Sequence, residues 1–448
     1  MTNNRESFGG RFAVLVALVG SAVGLGNLWR FPYLVGRNGG AAFILIYIVI
    51  ALLICLPMML SEGIIGRRAG ANVFRSFKKL APGSGWWLIG IGTIITTSLI
   101  ISFYSVVGGW IIYFLVKSAT LQLSGDATAN GGIFTSLISS PIEPLVYTAI
   151  FLFATGGIIS MGVKSGIEKV SKILMPLLFV CTVIIAVESL MLPGSSKGVE
   201  FLFKPDFSKV TAETVFQALG QAFFSMSLGC GIIITYSSYI KKNEHIVTTS
   251  FITSCMDTLF ALIAGLAIMP AVFAFGQEPA QGPGLLFVIL PDIFTKIPGG
   301  EVIAILFFIV VFVAAVTSSI SLLEIDVAFL SEEFGWSRAK SATISSSIIF
   351  IFSVLCSLSM GPLKDFTIAG KTIFDLFDYV TANILMTVCS LGCVLFAGWK
   401  LKREDIIDEL TNAGKLKISP ATVSFFIFSI RYIAPAAIII IAIFSLFA

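Results

Sequence analysis

Runs of about twenty apolar residues recur along the whole chain, and each is long enough to cross a bilayer as a helix. Eleven can be delimited by Gly, Pro or charge clusters, over 11–36, 41–69, 87–117, 144–161, 167–191, 213–240, 246–275, 297–331, 338–359, 370–399 and 421–447. Several exceed one straight crossing, so tilts, breaks or extensions past the membrane are expected. With 56% hydrophobic and 12% charged residues and a mean hydropathy of +0.98, the chain lacks the polar surface of a soluble domain. The expected class is therefore all-α and integral to the membrane.

Composition also narrows the chemistry. The net charge of +4 is small and dispersed, which excludes nucleic acid as a partner. All seven cysteines fall in apolar segments, so no disulfide framework is implied. Cys389 and Cys393 share a helical face, but no His or acid stands beside them to complete a metal site. The sole histidine, His245, falls in a loop, and no nucleophile sits beside a base, so an enzyme is not expected. The first apolar run lacks a small-residue cleavage site and reads as a retained helix.

Basic residues orient the spans. With the N-terminus inside, 19 of the 29 Lys and Arg residues fall on the cytoplasmic side and 8 outside. By the positive-inside rule this predicts a multi-pass protein of the cell inner (plasma) membrane with its N-terminus in the cytoplasm.

The first span contains GSAVGLGNLWRFPY, Gly20 to Tyr33, where three glycines and an Asn interrupt apolar sequence. A helix of that composition loosens at about Ala22 to Gly26, and bare backbone persists in a membrane only where it lines a cavity. A second glycine-broken stretch, FFSMSLGCGIIITY, lies in the sixth span, at Phe223 to Tyr236. Five spans separate the two breaks, so these helices run in opposite directions. Spans one to five and six to ten then form an inverted repeat, with a midplane site at the two breaks, as in secondary transporters. The expected organisation is a cytoplasmic segment 1–10, a first repeat 11–191, an external loop 192–212, a second repeat 213–399, a cytoplasmic loop 400–420 and a last helix 421–448.

Ionisable residues within the spans are few, chiefly Arg30, Glu62, Asp257, Glu324, Asp326 and Asp378. Such groups are costly in a membrane and mark function. Arg30 and Asp378 stand at similar depth above the breaks, placed to close as an outer gate or to serve as a static ion pair. Oxygen ligands gather at Asn27, Ser225, Ser227, Asp257, Thr317, Ser318 and Ser319. With carbonyls from unwound backbone, they suit a monovalent hard cation such as sodium. The amides of Leu25 and Gly26 open a half-helix whose positive dipole end favours a carboxylate. A solute carrying both charges, an amino acid, fits both halves of this arrangement.

The motifs SAVGLGNLWRFPY, SLGCG, AGLAIMP and TSSIS, in this order and spacing, resemble the neurotransmitter:sodium symporter family in its bacterial amino-acid branch. The resemblance implies the leucine-transporter fold and two sodium sites. The first would use Ala22, Asn27, Ser225 and Asp257 with the substrate carboxylate, and the second Gly20, Val23, Ala314, Thr317 and Ser318. Substrate would be held by Ser21, Ala22, Leu25, Gly26, Tyr104, Phe224, Ser225, Ser227 and Ser318, with Ile100, Cys230, Ser319 and Leu322 around its side chain. Arg30 with Asp378 matches the outer gate, and Arg5 with Glu332 the cytoplasmic one. Gly166 and Pro176 match a hinge motif in the fifth span, and Phe8 stands where many relatives have Trp, implying a looser N-terminal latch.

Three departures carry information. Gly24 takes the place of the Asp that amine-selective relatives use, which favours a substrate bringing its own carboxylate. Asp257 replaces the neutral Asn of chloride-dependent relatives, so chloride-independent transport is expected. Cys230 replaces a large aromatic, leaving room for a hydrophobic or aromatic side chain. Partners are then sodium ions, a small amino acid and the bilayer, with no obligate protein partner evident. The alternatives are a carrier of another zwitterionic or amine solute, a proton-coupled permease, and a channel or non-transporting sensor of the same fold.

Overall fold

The computed structural model describes residues 6–123, 126–277 and 283–447. Nine helices among them are long and apolar enough to cross a membrane: Ala41–Ala69, Trp87–Ala119, Glu143–Ser160, Val163–Met191, Ile246–Ala274, Gly300–Phe334, Arg338–Leu358, Ile373–Lys400 and Pro420–Phe444. A bent pair, Arg11–Ala22 and Gly26–Arg37, precedes them and turns by 52° at its break. Two short helices, Ala212–Ser225 and Ile232–Ser237, fill the sixth place in chain order. The eleven spans read from the sequence are thus all occupied by helix, and the sixth ends at Ser237 rather than Ile240.

The third span (Trp87–Ala119) and the eighth (Gly300–Phe334) are the most buried and pack along each other as the central pillar. Both bury side chains on several faces, as a helix surrounded by other helices must. The fourth, fifth and ninth spans turn Val146, Val180, Ile184 and Ile351 outward, apolar side chains that lipid solvates without cost. Helix starts follow local rules: Thr211 and Thr214 form a reciprocal cap at the head of the sixth span, and Ser337 caps the ninth.

Both sequence-predicted breaks are real. Val23 adopts an extended conformation after Ala22, and the chain resumes with a wide π-turn over Gly26–Arg30. Residues 226–231 leave the helix altogether, with φ of +54° at Ser227, +75° at Gly229 and +73° at Gly231. Gly229 is required twice over, by its left-handed φ and because a Cβ there would overlap the Met386 carbonyl and the Ser390 hydroxyl. Glu62 then receives the Gly229 amide at Oε1, 2.8 Å away, replacing the hydrogen bond that the helix gave up.

Candidate functional site

The two breaks meet in the interior. Ser227 Oγ donates to the Ser21 carbonyl at 2.9 Å, and Gln221 Nε2 donates to the Gly26 carbonyl at 3.1 Å. Asn27 Oδ1 receives the amide of Gly24 at 3.0 Å, so its side chain bridges the turn that the glycines open. Backbone that lipid would leave stranded is therefore held by side chains of the opposite half.

Between the breaks lies a small cavity of about 50 Å³. Its walls include Ser21, Ala22, Leu25, Gly26, Ile100, Tyr104, Phe224, Ser225, Ser227, Cys230, Ser318 and Leu322, twelve of the thirteen residues expected around the substrate. Ser319 is the exception. Its hydroxyl stands 3.3 Å from Thr155 Oγ1 on the fourth span, because one residue of helix turns it about 100° from Ser318. Gly24, Ile232 and Met386 complete the lining, none of them named from sequence as a contact. Tyr104 is buried, with the Leu25 amide and the Ser318 hydroxyl beside its own hydroxyl, which finds no acceptor among the described residues. A buried donor left in this way awaits an acceptor from outside the chain.

Beside the pocket, Asp257 gathers three donors. Its carboxylate accepts from Asn27 Nδ2 at 2.9 Å, from Ser225 Oγ at 2.8 and 2.9 Å, and from the Tyr47 hydroxyl at 3.0 Å. Asn27 Nδ2 also donates to Ser225 Oγ at 3.0 Å. Sequence reasoning missed Tyr47, whose polar tip is invisible in an apolar run of the second span. An oxygen cluster with one carboxylate, buried and against unwound backbone, has the donor chemistry of a monovalent hard-cation site.

A second oxygen cluster lies where the first span crosses the eighth. Thr317 Oγ1 donates to the carbonyls of Val313 and Ala314 at 3.0 and 3.1 Å, and Ser318 Oγ to that of Val23 at 3.4 Å. A Cβ on Gly20 would lie 3.4 Å from the Thr317 Cβ, ordinary contact distance, and 3.1 Å from the Met175 sulfur. The structure thus brings Val23 of the first span beside Ser318 of the eighth, and Gly20 beside Thr317.

On the Asp378 side of the pocket, the Arg30 guanidinium lies 5.2 Å from the centre of the Phe224 ring, a cation–π contact over the pocket. Arg30 and Asp378 interact across a distance, and among the described residues no direct ion pair joins them. On the opposite side of the pocket, Glu324 is paired with Arg338 at 2.5 Å and receives the Tyr239 hydroxyl at 2.6 Å. Glu332 Oε2 accepts from the Asn72 amide at 2.8 Å, and Arg5 lies outside the described residues. Phe8 is buried edge-on between Tyr236 and Tyr239, and its amide donates to the Tyr239 carbonyl at 3.2 Å. Contrary to the loose latch expected, the smaller ring is fully packed.

In the fifth span, Gly166 sits in a π-turn over Val163–Glu168, where a Cβ would overlap the Ile158 carbonyl. Pro176 lies inside the α-helix that follows, Lys169–Met191. Wide turns and interior prolines are weak points of a helix, and here both fall in one span.

Comparison with known proteins agrees with this architecture. The chain is similar to MhsT, solved in complex with L-phenylalanine, with a TM-score of 0.90 and 43% identity over 99% of this chain and 100% of that one. It is 39% identical over 435 residues to the sodium-dependent transporter YhdH of Bacillus subtilis, covering 96% of this chain and 95% of the relative. It is 37% identical over 464 residues to a sodium-dependent transporter of Haemophilus influenzae, covering 100% of both. The family model matches residues 5–132 and 138–448. Fold, broken helices and sequence agree that this is a multi-pass, sodium-dependent transporter of a small molecule and no enzyme, with the leucine-transporter architecture; the chain belongs to the sodium:neurotransmitter symporter family.

Proposed function

We propose that the protein imports a hydrophobic or aromatic L-amino acid together with sodium, by alternating access and without chloride. The observation that carries this reading is the Tyr104 hydroxyl, which finds no acceptor among the described residues, at the polar end of an otherwise apolar pocket. A substrate carboxylate supplies the acceptor that Tyr104 lacks, and the amides of Leu25 and Gly26 stand at the same end. MhsT, similar over the full length, was solved with L-phenylalanine.

Two sodium ions enter with the substrate. One is held by Ala22, Asn27, Ser225 and Asp257 with the substrate carboxylate, and the other by Gly20, Val23, Ala314, Thr317 and Ser318. Asp257 supplies a fixed negative charge beside the first ion, the task that a mobile anion would otherwise perform in a low-dielectric interior. Gly24 leaves only hydrogen beside Ser318, 2.6 Å from where a Cβ would stand, so the pocket carries no acid of its own for an amine. Ile100, Cys230 and Leu322 present an apolar wall to the side chain.

Gating follows from the same elements. Arg30 and Asp378 draw together once substrate neutralises the site, with Phe224 as lid. On the cytoplasmic side, release of Arg5 from Glu332 and unwinding of the fifth span at Gly166 and Pro176 open the inner path. Residues 11–191 and 213–399 act as the two inverted repeats, in the plasma membrane with the N-terminus in the cytoplasm.

The test is uptake of labelled Trp, Leu, Gly and GABA into proteoliposomes under an inward sodium gradient, with chloride replaced by gluconate. Sodium-driven Trp or Leu uptake undiminished in gluconate is expected. Uptake that needs chloride, or that prefers GABA, refutes the reading.

A further inference from the structure

One wall of the pocket comes from a helix that the site has so far used only for its gate. The tenth span carries Asp378 in Ile373–Tyr379, then a π-turn over Val380–Leu385, and then Met386, which lines the pocket. The Met386 amide bonds back to the Thr381 carbonyl, five residues earlier. Such a turn inserts one extra residue and so rotates everything after it by about 100° relative to an uninterrupted helix. The rotation accounts for how one helix can present Asp378 above the pocket and Met386 at its wall.

The tenth span is also pressed against the broken sixth. Gly229 leaves no room for a Cβ because the Met386 carbonyl and Ser390 occupy that place, so the backbone at Met386 is pinned beside Cys230. Its side chain is not pinned in the same way. Of the other apolar walls, Ile100, Ile232, Leu25 and Leu322 are branched and hold few rotamers, Ala22 has none and Phe224 is a rigid ring under Arg30, whereas Met is unbranched with three rotatable bonds and a polarizable sulfur. Cys230, the other flexible candidate, is too short to reach across the pocket.

We propose that Met386 is the adjustable wall of the substrate pocket: its side chain retracts for an aromatic substrate and advances on a smaller one, and it sets the upper size limit of what is carried. The inference rests on the amino-acid reading above and adds to it a residue on a helix that supplied no substrate contact.

The experiment is sodium-dependent binding to purified full-length protein of Trp, Phe, Leu and Ala, in wild type, Met386→Phe and Met386→Ile. Overfilling a packed wall is costly, so Met386→Phe is expected to weaken Trp relative to Ala by about tenfold or more. Met386→Ile, close in volume but branched at Cβ, narrows the range and lowers the affinity for Trp and Ala relative to Leu. If both variants change all four affinities by the same factor, or by none, Met386 is not the size-setting wall, whatever the substrate class. If wild type binds none of the four while sodium still raises its melting temperature, the amino-acid reading fails and this inference with it.

Discussion

The hydroxyl of Tyr47, in the second span, donates to Oδ2 of Asp257, in the seventh, at 3.0 Å, while Asn27 donates to Oδ1 and Ser225 to both oxygens of the same carboxylate. A buried carboxylate with three neutral donors is held in place but not neutralised, so it remains ready to meet a cation. Tyr47→Phe removes one donor and loosens the carboxylate without removing its charge. Hydrogen bonds to charged groups contribute about 1.5 to 3 kcal/mol, so the sodium concentration for half-maximal uptake should rise by roughly tenfold or more. A sodium titration of uptake checks this, with unchanged sodium dependence as the contrary result.

Asp257→Asn keeps the shape and most hydrogen bonds of the side chain but removes its charge. Uptake should fall in gluconate and recover in part when chloride is restored, because a small anion can take over the missing charge. Equal uptake of the variant in both media would show that Asp257 does not balance charge.

Tyr104→Phe separates binding from stability. The hydroxyl it removes is buried and finds no acceptor among the described residues, so the ligand-free protein should lose little stability. Substrate affinity should drop by about tenfold, the equivalent of ~1.4 kcal/mol and of one hydrogen bond to a carboxylate. Melting temperatures with and without substrate measure both effects on one sample.

Gly24→Ala places a methyl group 2.6 Å from Ser318 Oγ, at the polar end of the pocket. Substrate binding should be lost while sodium-dependent stabilisation persists in reduced form, since Ser318 is displaced. Shortening the neighbour with Ser318→Ala should not rescue binding if that hydroxyl is needed for sodium.

Glu324→Gln tests the cytoplasmic closure. Glu324 is fully buried and paired with Arg338 at 2.5 Å, so the substitution leaves a guanidinium uncompensated. Breaking a buried pair from one side typically costs about 3 to 5 kcal/mol. The melting temperature should drop steeply, and the closed inner side should open, read as faster labelling of a cysteine placed at Ala328.

Much of this site was legible because membranes restrict chains so severely. Gly20, Gly24 and Gly26 within one apolar run could not be an ordinary crossing, and Val23 is indeed extended there. The polar residues beside each break, Asn27 and Ser225, then had to serve the break or a ligand, and they bond each other at 3.0 Å. Ser319 was misread because three consecutive hydroxyls cannot all face one side of a helix, and the run itself does not say which one turns away. Tyr47 and Met386 carried no sequence signal, since both are ordinary residues of apolar spans. Glu62 was conspicuous as an intramembrane acid, but its task of holding the Gly229 amide needed the position of a residue 167 places away.

The sequence by itself determined the number and order of the spans, the two breaks and the oxygen-rich character between them, since these follow from hydropathy, glycine and the cost of bare backbone in lipid. Only the tertiary structure decided which side chains answer that bare backbone, that the Tyr104 hydroxyl finds no acceptor among the described residues, and that Arg30 lies over Phe224 instead of pairing with Asp378. The physical reason is that a break is a local property of the chain, whereas a hydrogen-bond partner or a pocket wall is supplied from another span, where packing rather than composition sets the register.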